Sequence, residues 1–393
     1  MSSTIAWAAS SSMLTWAVLV AATSGVAIHR AYLGRRPGSR PAPRAEPLAS
    51  VLVVRPCAGL EPHLARSLRS TATLRYGGPL RVVLSTSTTN DPARPLLHQI
   101  AAELRRDGLD VSVEVVPPVG ANLKASQLSG IIDLAREDVA LVIDSDVELE
   151  GLDLDQMLTP LQDPHGRVAA VWCAPIEREP SSAGDRLSAA VLGGSLHAFS
   201  LLGSLDHQAL VGKTFAVRIG ALREAGGFGG LVQHLGEDME LARRLAFRGW
   251  STKMGTAVVA SLASGRRVRD VLARYARWLM VIRAQRPFLL LSYPLLLAAT
   301  PMLLLAAALG WSMGMPAVGA LVASLAVGSR LAVAVAARRL GGRTIDAWSV
   351  VVDVVLADLV LTAAFIRAAL GPARVRWRQR SLRLGARGLL ELG

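Results

Sequence analysis

The sequence predicts an α/β domain, with a mostly parallel sheet covered by helices on both faces, joined to transmembrane helices. Three observations carry this. The 393 residues are 51% hydrophobic and only 19% charged, with a mean hydropathy of +0.38, a balance that argues against disorder and against a purely soluble chain. Between residues 49 and 265, short apolar runs alternate with polar, helix-period stretches. On either side of that region lie long runs without charge.

At the N-terminus no Asp, Glu, Lys or Arg precedes Arg30, and residues 5–28 are long enough to cross a hydrocarbon core of about 30 Å as a helix. The positive charge follows the apolar run, at Arg30, Arg35, Arg36, Arg40 and Arg44. Residues 1–29 are therefore expected to be an uncleaved anchor, followed by a basic, Pro-rich linker over 30–48 on the cytoplasmic side. In the 49–265 domain the candidate strands are 51–54, 80–84, 111–116, 139–143, 168–173 and 214–217, with helices over 92–106 and 122–135. Strands apolar on both faces and joined by helices imply parallel pairing.

Residues 266–286 read as a basic amphipathic helix at a membrane surface, or alternatively as a helix packed on the domain. Val268, Leu272, Tyr275, Leu279 and Ile282 share one face, and Arg267, Arg274, Arg277 and Arg283 lie elsewhere around it. Residues 287–370 hold the remaining apolar segments. Residues 287–329 carry no charge and are divided by Gly310, Gly314 and Pro316 into a helical hairpin, which places Arg338, Arg339 and Arg343 on the cytoplasmic side. The stretch 346–370 contains Asp353, Asp358 and Arg367. Asp346, Asp353 and Arg367 fall within about 60° of one another on a helix, which suits a re-entrant or interfacial helix or a span packed on its neighbours. A basic tail, 371–393, closes the chain.

The formal net charge is +13, from 43 basic and 30 acidic residues, and only Lys124, Lys213 and Lys253 among the basic ones are lysines. This charge lies beside membrane spans and on no RNA- or DNA-binding motif, so anionic lipid is the expected partner and nucleic acid is not. Two cysteines, Cys57 and Cys173, provide no disulfide framework and no Cys-rich zinc site.

Residues 140–146 form an apolar strand ending in Asp144 and Asp146. In an extended chain residues two apart point to the same side. Two like charges at the carboxyl end of a parallel strand are costly unless a cation sits between them, and Mg²⁺ or Mn²⁺ is the expected ion. Glu237 and Asp238 open a helix. Carboxylates are favoured there by the macrodipole, and a catalytic role requires one of them to face a cleft as a general base. A third element is the R-x-x-R-W segment from Arg274 to Trp278, which by itself is explained by attachment to a membrane surface.

In this order, and with Asn122-Leu123-Lys124, Val211-Gly212-Lys213-Thr214 and Ala225-Gly226-Gly227-Phe228 between them, these elements resemble the family-2-like inverting glycosyltransferases, most closely the ceramide glucosyltransferase family. The resemblance covers nearly the whole chain. It implies a GT-A type domain for a nucleotide-diphospho-sugar, a UDP-hexose donor, a divalent metal and a lipid acceptor. Asp91 would contact the nucleotide, or cap a helix with Pro92 at N1, or do both. Asp144 would bind the donor, with Asp146 beside it on the metal. Lys124 would lie near the sugar diphosphate, Arg274 on the donor side, and Arg277 against the departing diphosphate. Asp238 would be the base, and Trp278 would close the pocket where nucleotide and lipid meet. The ending Val375-Arg376-Trp377-Arg378 is similar to that of bacterial members, whereas residues 85–89 are hydroxyl-rich where relatives carry more acidic residues.

The reaction expected is transfer of one hexose to a lipid hydroxyl with inversion, UDP-glucose to ceramide first, with UDP-N-acetylglucosamine and a hopanoid or diacylglycerol lipid as alternatives. The setting expected is a bacterial inner membrane, crossed several times, with the catalytic domain on the cytoplasmic side. A processive polysaccharide synthase would need a larger bundle of spans, and a transporter or scaffold would leave the three motifs without a role. Gly212-Lys213-Thr214 is no P-loop, because position 207 is His where that motif needs Gly, and His197, His207 and His234 lack metal-ligand spacing.

Overall fold

The computed structural model describes residues 3–33, 49–162, 166–262, 265–377 and 380–392. Most of the expected linker, 34–48, and Arg378 of the C-terminal motif lie outside the described residues. In chain order, α1 (Ser3–Leu33) precedes β1 (Val51–Pro56), α2 (Leu64–Arg69), β2 (Leu80–Thr86), α3 (Arg94–Arg106), β3 (Asp110–Val115), α4 (Leu123–Ile132), β4 (Val139–Ile143) and β5 (Val147–Glu148). There follow α5 (Leu154–Leu158), β6 (Val168–Arg178), α6 (Ala183–Gly194), α7 (Leu196–Leu205), β7 (Thr214–Arg218), α8 (Ile219–Glu224), α9 (Glu237–Phe247) and β8 (Ser251–Leu262). The last part is α10 (Val268–Gln285), α11 (Pro287–Leu290), α12 (Thr300–Ser312), α13 (Pro316–Leu340), α14 (Ala347–Leu370), β9 (Arg374–Trp377), β10 (Arg380–Leu384) and β11 (Leu390–Leu392).

Contacts divide the chain into two units. An α/β unit comprises Leu33–Pro175, Leu202–Gly265 and Ala373–Gly393; a helical unit comprises Met1–Tyr32, Ile176–Leu201 and Arg266–Pro372. Residues 176–201 thus group with the apolar helices, and the tail groups with the α/β unit.

The α/β unit is built on an eight-stranded sheet of order β3-β2-β1-β4-β7-β6-β8-β5. All six expected strands are present in it. β1 pairs in parallel with β2 and β4, and β2 with β3, whereas β7 runs antiparallel to β4 and to β6. In the parallel half, β1 to β4, a helix lies between each strand and the next in sequence. Every residue of β1 and β4 is buried, which is why those runs lack polar alternation. The core under this half includes Val51, Val53, Leu97, Ile100, Leu141 and Ile143. Because chain order reverses between β1 and β4, the crevice at their carboxyl ends is the switch point where open α/β sheets place ligands.

The tail folds as a three-stranded antiparallel sheet, β11-β10-β9. It also pairs with the chain just before α9, where Leu235 N donates to Gly388 O and Leu390 N to Gln233 O, at 2.9 and 2.8 Å.

In the helical unit, α1, α13 and α14 are long and apolar enough to cross a membrane, and 287–297 with 300–312 form a pair bent by 56°. Ala17 and Val20 of α1 pack with Leu303 and Ala307 of α12 and Val322 and Ala326 of α13. Gly319 permits the close approach of α12 and α13, since a Cβ there would lie 2.6 Å from Ala307 O. The buried charges of α13 and α14 are paired. Arg330, fully buried, binds Asp358 and donates to Gly194 O at 2.7 Å, while Asp353 accepts from Arg338 at 2.8 Å and pairs with Arg343 at 3.0 Å. Asp346 instead caps α14, accepting from Ser349 N at 2.9 Å. Arg283 of α10 donates to Ala368 O and Ala369 O, free carbonyls at the end of α14. With Val271, Tyr275, Ala276 and Leu279 buried, α10 is packed within this unit along the face the sequence predicts from Tyr275 onward, and Val268 is exposed.

Candidate active site

The D-x-D carboxylates stand at the carboxyl end of β4, held by their backbone. Asp144 N donates to Lys213 O at 2.9 Å, and Val147 N to Asp144 O at 3.1 Å. Beneath this turn lies Arg55, which no sequence motif points to. Its guanidinium is wholly buried and donates to Asp144 O at 3.2 Å, Val147 O at 2.5 Å, Ser67 O at 2.5 Å and Thr71 Oγ1 at 3.0 Å. Burial lowers its pKa to about 10, with Cys57, Asp146 and Asp144 opposing the shift, so it stays charged at neutral pH and braces the turn from inside.

Two ammonium groups meet the like-charge cost that the sequence predicts. Lys124 Nζ donates to Asp144 Oδ1 at 2.6 Å, and Lys213 Nζ lies 2.6 and 2.5 Å from Asp146 Oδ1 and Oδ2 and 3.5 Å from Asp144 Oδ2. Ser261 Oγ also donates to Asp146 Oδ2, at 3.0 Å. Glu61 joins from the loop after β1 and accepts from Ser145 Oγ at 2.7 Å. Burial raises its pKa, and the carboxylates of Asp146 and Asp144 add to the effect. These groups line a cleft of about 170 Å³, together with Cys57 and Gln127.

Lys124 stands in the first turn of α4, which Asn122 caps by accepting from Ala125 N at 2.9 Å. The same Asn122 amide donates to His234 O at 2.8 Å and Glu237 Oε2 at 2.9 Å, tying α4 to the start of α9. Lys124 also donates to Gly212 O at 2.7 Å and lies 3.5 Å from Glu237. Burial alone would lower its pKa, but Asp144, Glu237 and Asp238 outweigh burial and hold the ammonium above the usual lysine range.

Asp238 is more than a carboxylate on a helix dipole. Its Oδ2 accepts from Gly212 N and its Oδ1 from Met239 N, both at 2.8 Å. Burial raises the pKa of Asp238, and likewise that of Glu237, with Lys124 opposing in each case. A half-buried carboxylate whose pKa is raised is a better proton acceptor than one in water.

Asp91 accepts at Oδ1 from Ala93 N and from Gly59 N, each at 2.9 Å. The helix begins at Arg94, two residues after Pro92, because the side chain closes a turn over 91–93 in place of a helix cap. Its second bond holds the loop that carries Glu61.

The R-x-x-R-W segment lies on α10 of the helical unit. Arg274 donates to Glu177 Oε1 at 2.9 Å, and its guanidinium lies 4.9 Å from the centre of the Trp278 ring. Glu177 is fully buried, also binds Arg266 at 3.1 Å, and accepts from Ser188 Oγ. Tyr275 meets Trp278 edge-on at 5.2 Å and donates to Ser188 O. Arg277, by contrast, has no hydrogen bond or ion pair with another described residue. Burial lowers its pKa, and the positive charge of Arg274 adds to this, a combination that an anion would relieve.

The structure thus gathers Lys124, Asp144 and Asp146 around one cleft, links Asp238 to them through Gly212, holds Asp91 to the loop that carries Glu61, and places Arg274, Arg277 and Trp278 on the other unit. The sequence reading missed Arg55, Glu61, Lys213 and Glu177. Among the histidines, His234 Nδ1 lies 3.2 Å from Arg387 O, a structural contact, and the side chain of His197 is outside the described residues. Among the described residues no three His, Cys, Asp or Glu side chains are arranged to hold a metal ion. The pair Asp144 and Asp146 nonetheless fits a hard divalent cation that completes its shell with substrate phosphates.

This sheet order with a D-x-D at its switch point defines the GT-A class of glycosyltransferases. The chain belongs to glycosyl transferase family 21, whose family model matches residues 14–390. It is similar to ceramide glucosyltransferase 1 of Caenorhabditis elegans, with 23% identity over 268 residues, 67% of this chain and 56% of that protein. The match therefore spans little more than half the length of that curated relative. Among solved structures, the chain is similar to the mannosyltransferase PcManGT from Pyrobaculum calidifontis in complex with GDP-Man and Mn²⁺, with 17% identity, 91% of this chain and 99% of that chain covered, and a TM-score of 0.47. Glucosyl-3-phosphoglycerate synthase from Mycobacterium tuberculosis in complex with Mn²⁺, UDP and phosphoglyceric acid matches at 17% identity over 57% of this chain and 76% of that one, with a TM-score of 0.32.

Proposed function

We propose that this protein transfers one hexose from a UDP-sugar to the hydroxyl of a membrane lipid with inversion, with glucose and ceramide as the first pair to test. The observation that carries the reading is Asp238, a half-buried carboxylate fixed by the Gly212 amide, whose carbonyl in turn accepts from Lys124, the ammonium that binds Asp144 in the cleft. Asp238 takes the proton of the acceptor hydroxyl as its oxygen bonds to C1 of the sugar. The bond from C1 to the diphosphate oxygen breaks, and UDP leaves with that electron pair. A divalent cation on Asp144 and Asp146 would neutralise the charge that develops on the leaving diphosphate. Lys124 supplies positive charge to the same group, and the family resemblance would give Arg277 the departing diphosphate and Trp278, held against Arg274 and Tyr275, the acceptor side.

We place the α/β unit on the cytoplasmic face of a bacterial inner membrane. Its pairing with the tail at 388–390 supports an even number of crossings between residues 265 and 373. A span formed by the bent pair and a return through α13 satisfy this and keep Arg338 and Arg339 inside, so α14 is read as re-entrant or interfacial.

The test is mass spectrometry of products from detergent-purified protein given Mn²⁺, UDP-glucose or UDP-N-acetylglucosamine, and a panel of ceramide, diacylglycerol and a hopanoid alcohol. A single-hexose lipid that disappears in Asp238→Asn, while UDP binding persists, is the expected result. Wild-type turnover in that variant overturns the assignment.

A further inference from the structure

Lys213 is the cation in the cleft to which the sequence assigned no role. Its side chain is 14% exposed, and its ammonium touches both oxygens of Asp146 while standing 3.5 Å from Asp144 Oδ2, so it bridges the D-x-D pair. The sheet fixes this. Thr214 is in register with Ile143, and the hydrogen bond from Asp144 N to Lys213 O sets the lysine opposite the first carboxylate. Lys124 is held differently, since it is shared among Asp144, Gly212 O and Glu237. A divalent cation and an ammonium cannot occupy the same Asp146 oxygens together.

Resting on the reading of Asp144 and Asp146 as the metal pair, we propose that Lys213 is a resident counter-ion that yields Asp146 to the metal and turns its charge to the donor diphosphate. The charge count supports this. In direct contact Asp144 and Asp146 are balanced by Lys124 and Lys213, so a divalent cation that takes Asp146 without a nucleotide strips Lys213 of its ion pair, with Glu61 the one other carboxyl group among the described residues lining the cleft. A cation entering with the two negative charges of a diphosphate leaves the balance intact. Metal and nucleotide therefore bind as a pair, and Lys213 is a positioning residue that couples them. By linkage the coupling is reciprocal.

The test is Mn²⁺ binding to the full-length, detergent-purified protein, followed by electron paramagnetic resonance of free Mn²⁺, with and without UDP. In the wild type, Mn²⁺ alone is expected to bind at least about tenfold more weakly than Mn²⁺ with UDP. Lys213→Met should tighten binding of Mn²⁺ alone about tenfold and weaken UDP binding at saturating Mn²⁺ by a similar factor, whereas Lys213→Arg should retain weak binding of Mn²⁺ alone. Equal Mn²⁺ affinity with and without UDP in the wild type overturns the proposal even if the variants do not fold, and so does unchanged or weaker Mn²⁺ binding in Lys213→Met. Asp146→Asn separates the two readings. If it leaves Mn²⁺ binding intact, the metal assignment of the D-x-D is what fails.

Discussion

Gly212→Ala probes how closely the proposed base is held. The amide of Gly212 donates to Asp238 Oδ2 at 2.8 Å, and a Cβ at this position would lie 2.8 Å from that oxygen and 3.2 Å from Asp238 Cβ and Cγ. Carbon contacts are relaxed only at about 3.5 Å, so the carboxylate must retreat by roughly 0.5 Å. The backbone itself poses no obstacle, since Gly212 is not among the glycines of positive φ. A misplacement of about 1 Å in a catalytic group can cost on the order of a hundredfold in rate. A shift of roughly half that size should lower kcat about ten- to a hundredfold, which is about 1.4–2.7 kcal/mol in the barrier. The assay is single-turnover transfer at saturating donor, beside UDP affinity and thermal unfolding of the same preparation. UDP affinity should change little, because Asp238 acts on the acceptor. A kcat within twofold of wild type would refute the argument that this contact sets the base.

The rate should also depend on pH in a defined sense. A base works ionised, and burial raises Asp238, so kcat should climb as pH rises through that raised value and then level off. Lys124→Met removes the opposing cation and should move the rising limb to higher pH; a limb that stays in place would remove Lys124 from the proton-transfer site. Arg55→Met removes one donor each from three carbonyls and a hydroxyl and should destabilise the α/β unit by about 1–3 kcal/mol for each acceptor left unsatisfied. Denaturant unfolding that shows less than about 1 kcal/mol would deny it the bracing role. Asp358→Asn should lower thermal stability in detergent by leaving the Arg330 charge buried and unpaired. The double variant Arg330→Met with Asp358→Leu should recover much of that loss, and an equally unstable double variant would show that the charge was not the cause.

The parallel half of the sheet was legible because β1 and β4 are buried on both faces, so their composition alone marks them. β8 was not. Lys253, Gly255 and Thr256 interrupt it, and its residues alternate between exposed and buried only in part. Residues 176–201 resisted assignment for another reason: small apolar residues such as Ala189, Ala190, Gly193 and Gly194 read alike whether they pack on a sheet or on apolar helices. The carboxylates of the site stood out because two acids closing an apolar strand need an explanation. Their partners did not, since Lys213 sits in a stretch that resembles part of a P-loop, and Arg55 and Glu177 are single charges at the ends of buried strands. Sequence spacing reports which residues share a face, and it does not report which cation reaches a carboxylate across the sheet. The stripe of Asp346, Asp353 and Arg367 shows the same limit, because Asp353 takes its partners from Arg338 and Arg343, and Asp346 serves its own helix.

The choice of cation in the cleft is itself informative. Three of the 43 basic residues are lysines, yet two of those three stand on the D-x-D pair. Apart from Arg277, the arginines described above perform fixed tasks: Arg55 under the turn, Arg274 between Glu177 and Trp278, and Arg330 against Asp358 and Gly194. A guanidinium is a planar fork whose donors must be matched all at once, which suits a brace that never changes partners. An ammonium is a compact point charge on a flexible stem and can leave one oxygen for another at little geometric cost. A chain this biased towards arginine that places lysine at Lys124 and Lys213 puts its mobile cations where a diphosphate and a metal would come and go. On the same argument Lys213→Arg should keep the charge and slow the exchange, so that it matches wild type in the affinity of Mn²⁺ alone and falls below it in turnover.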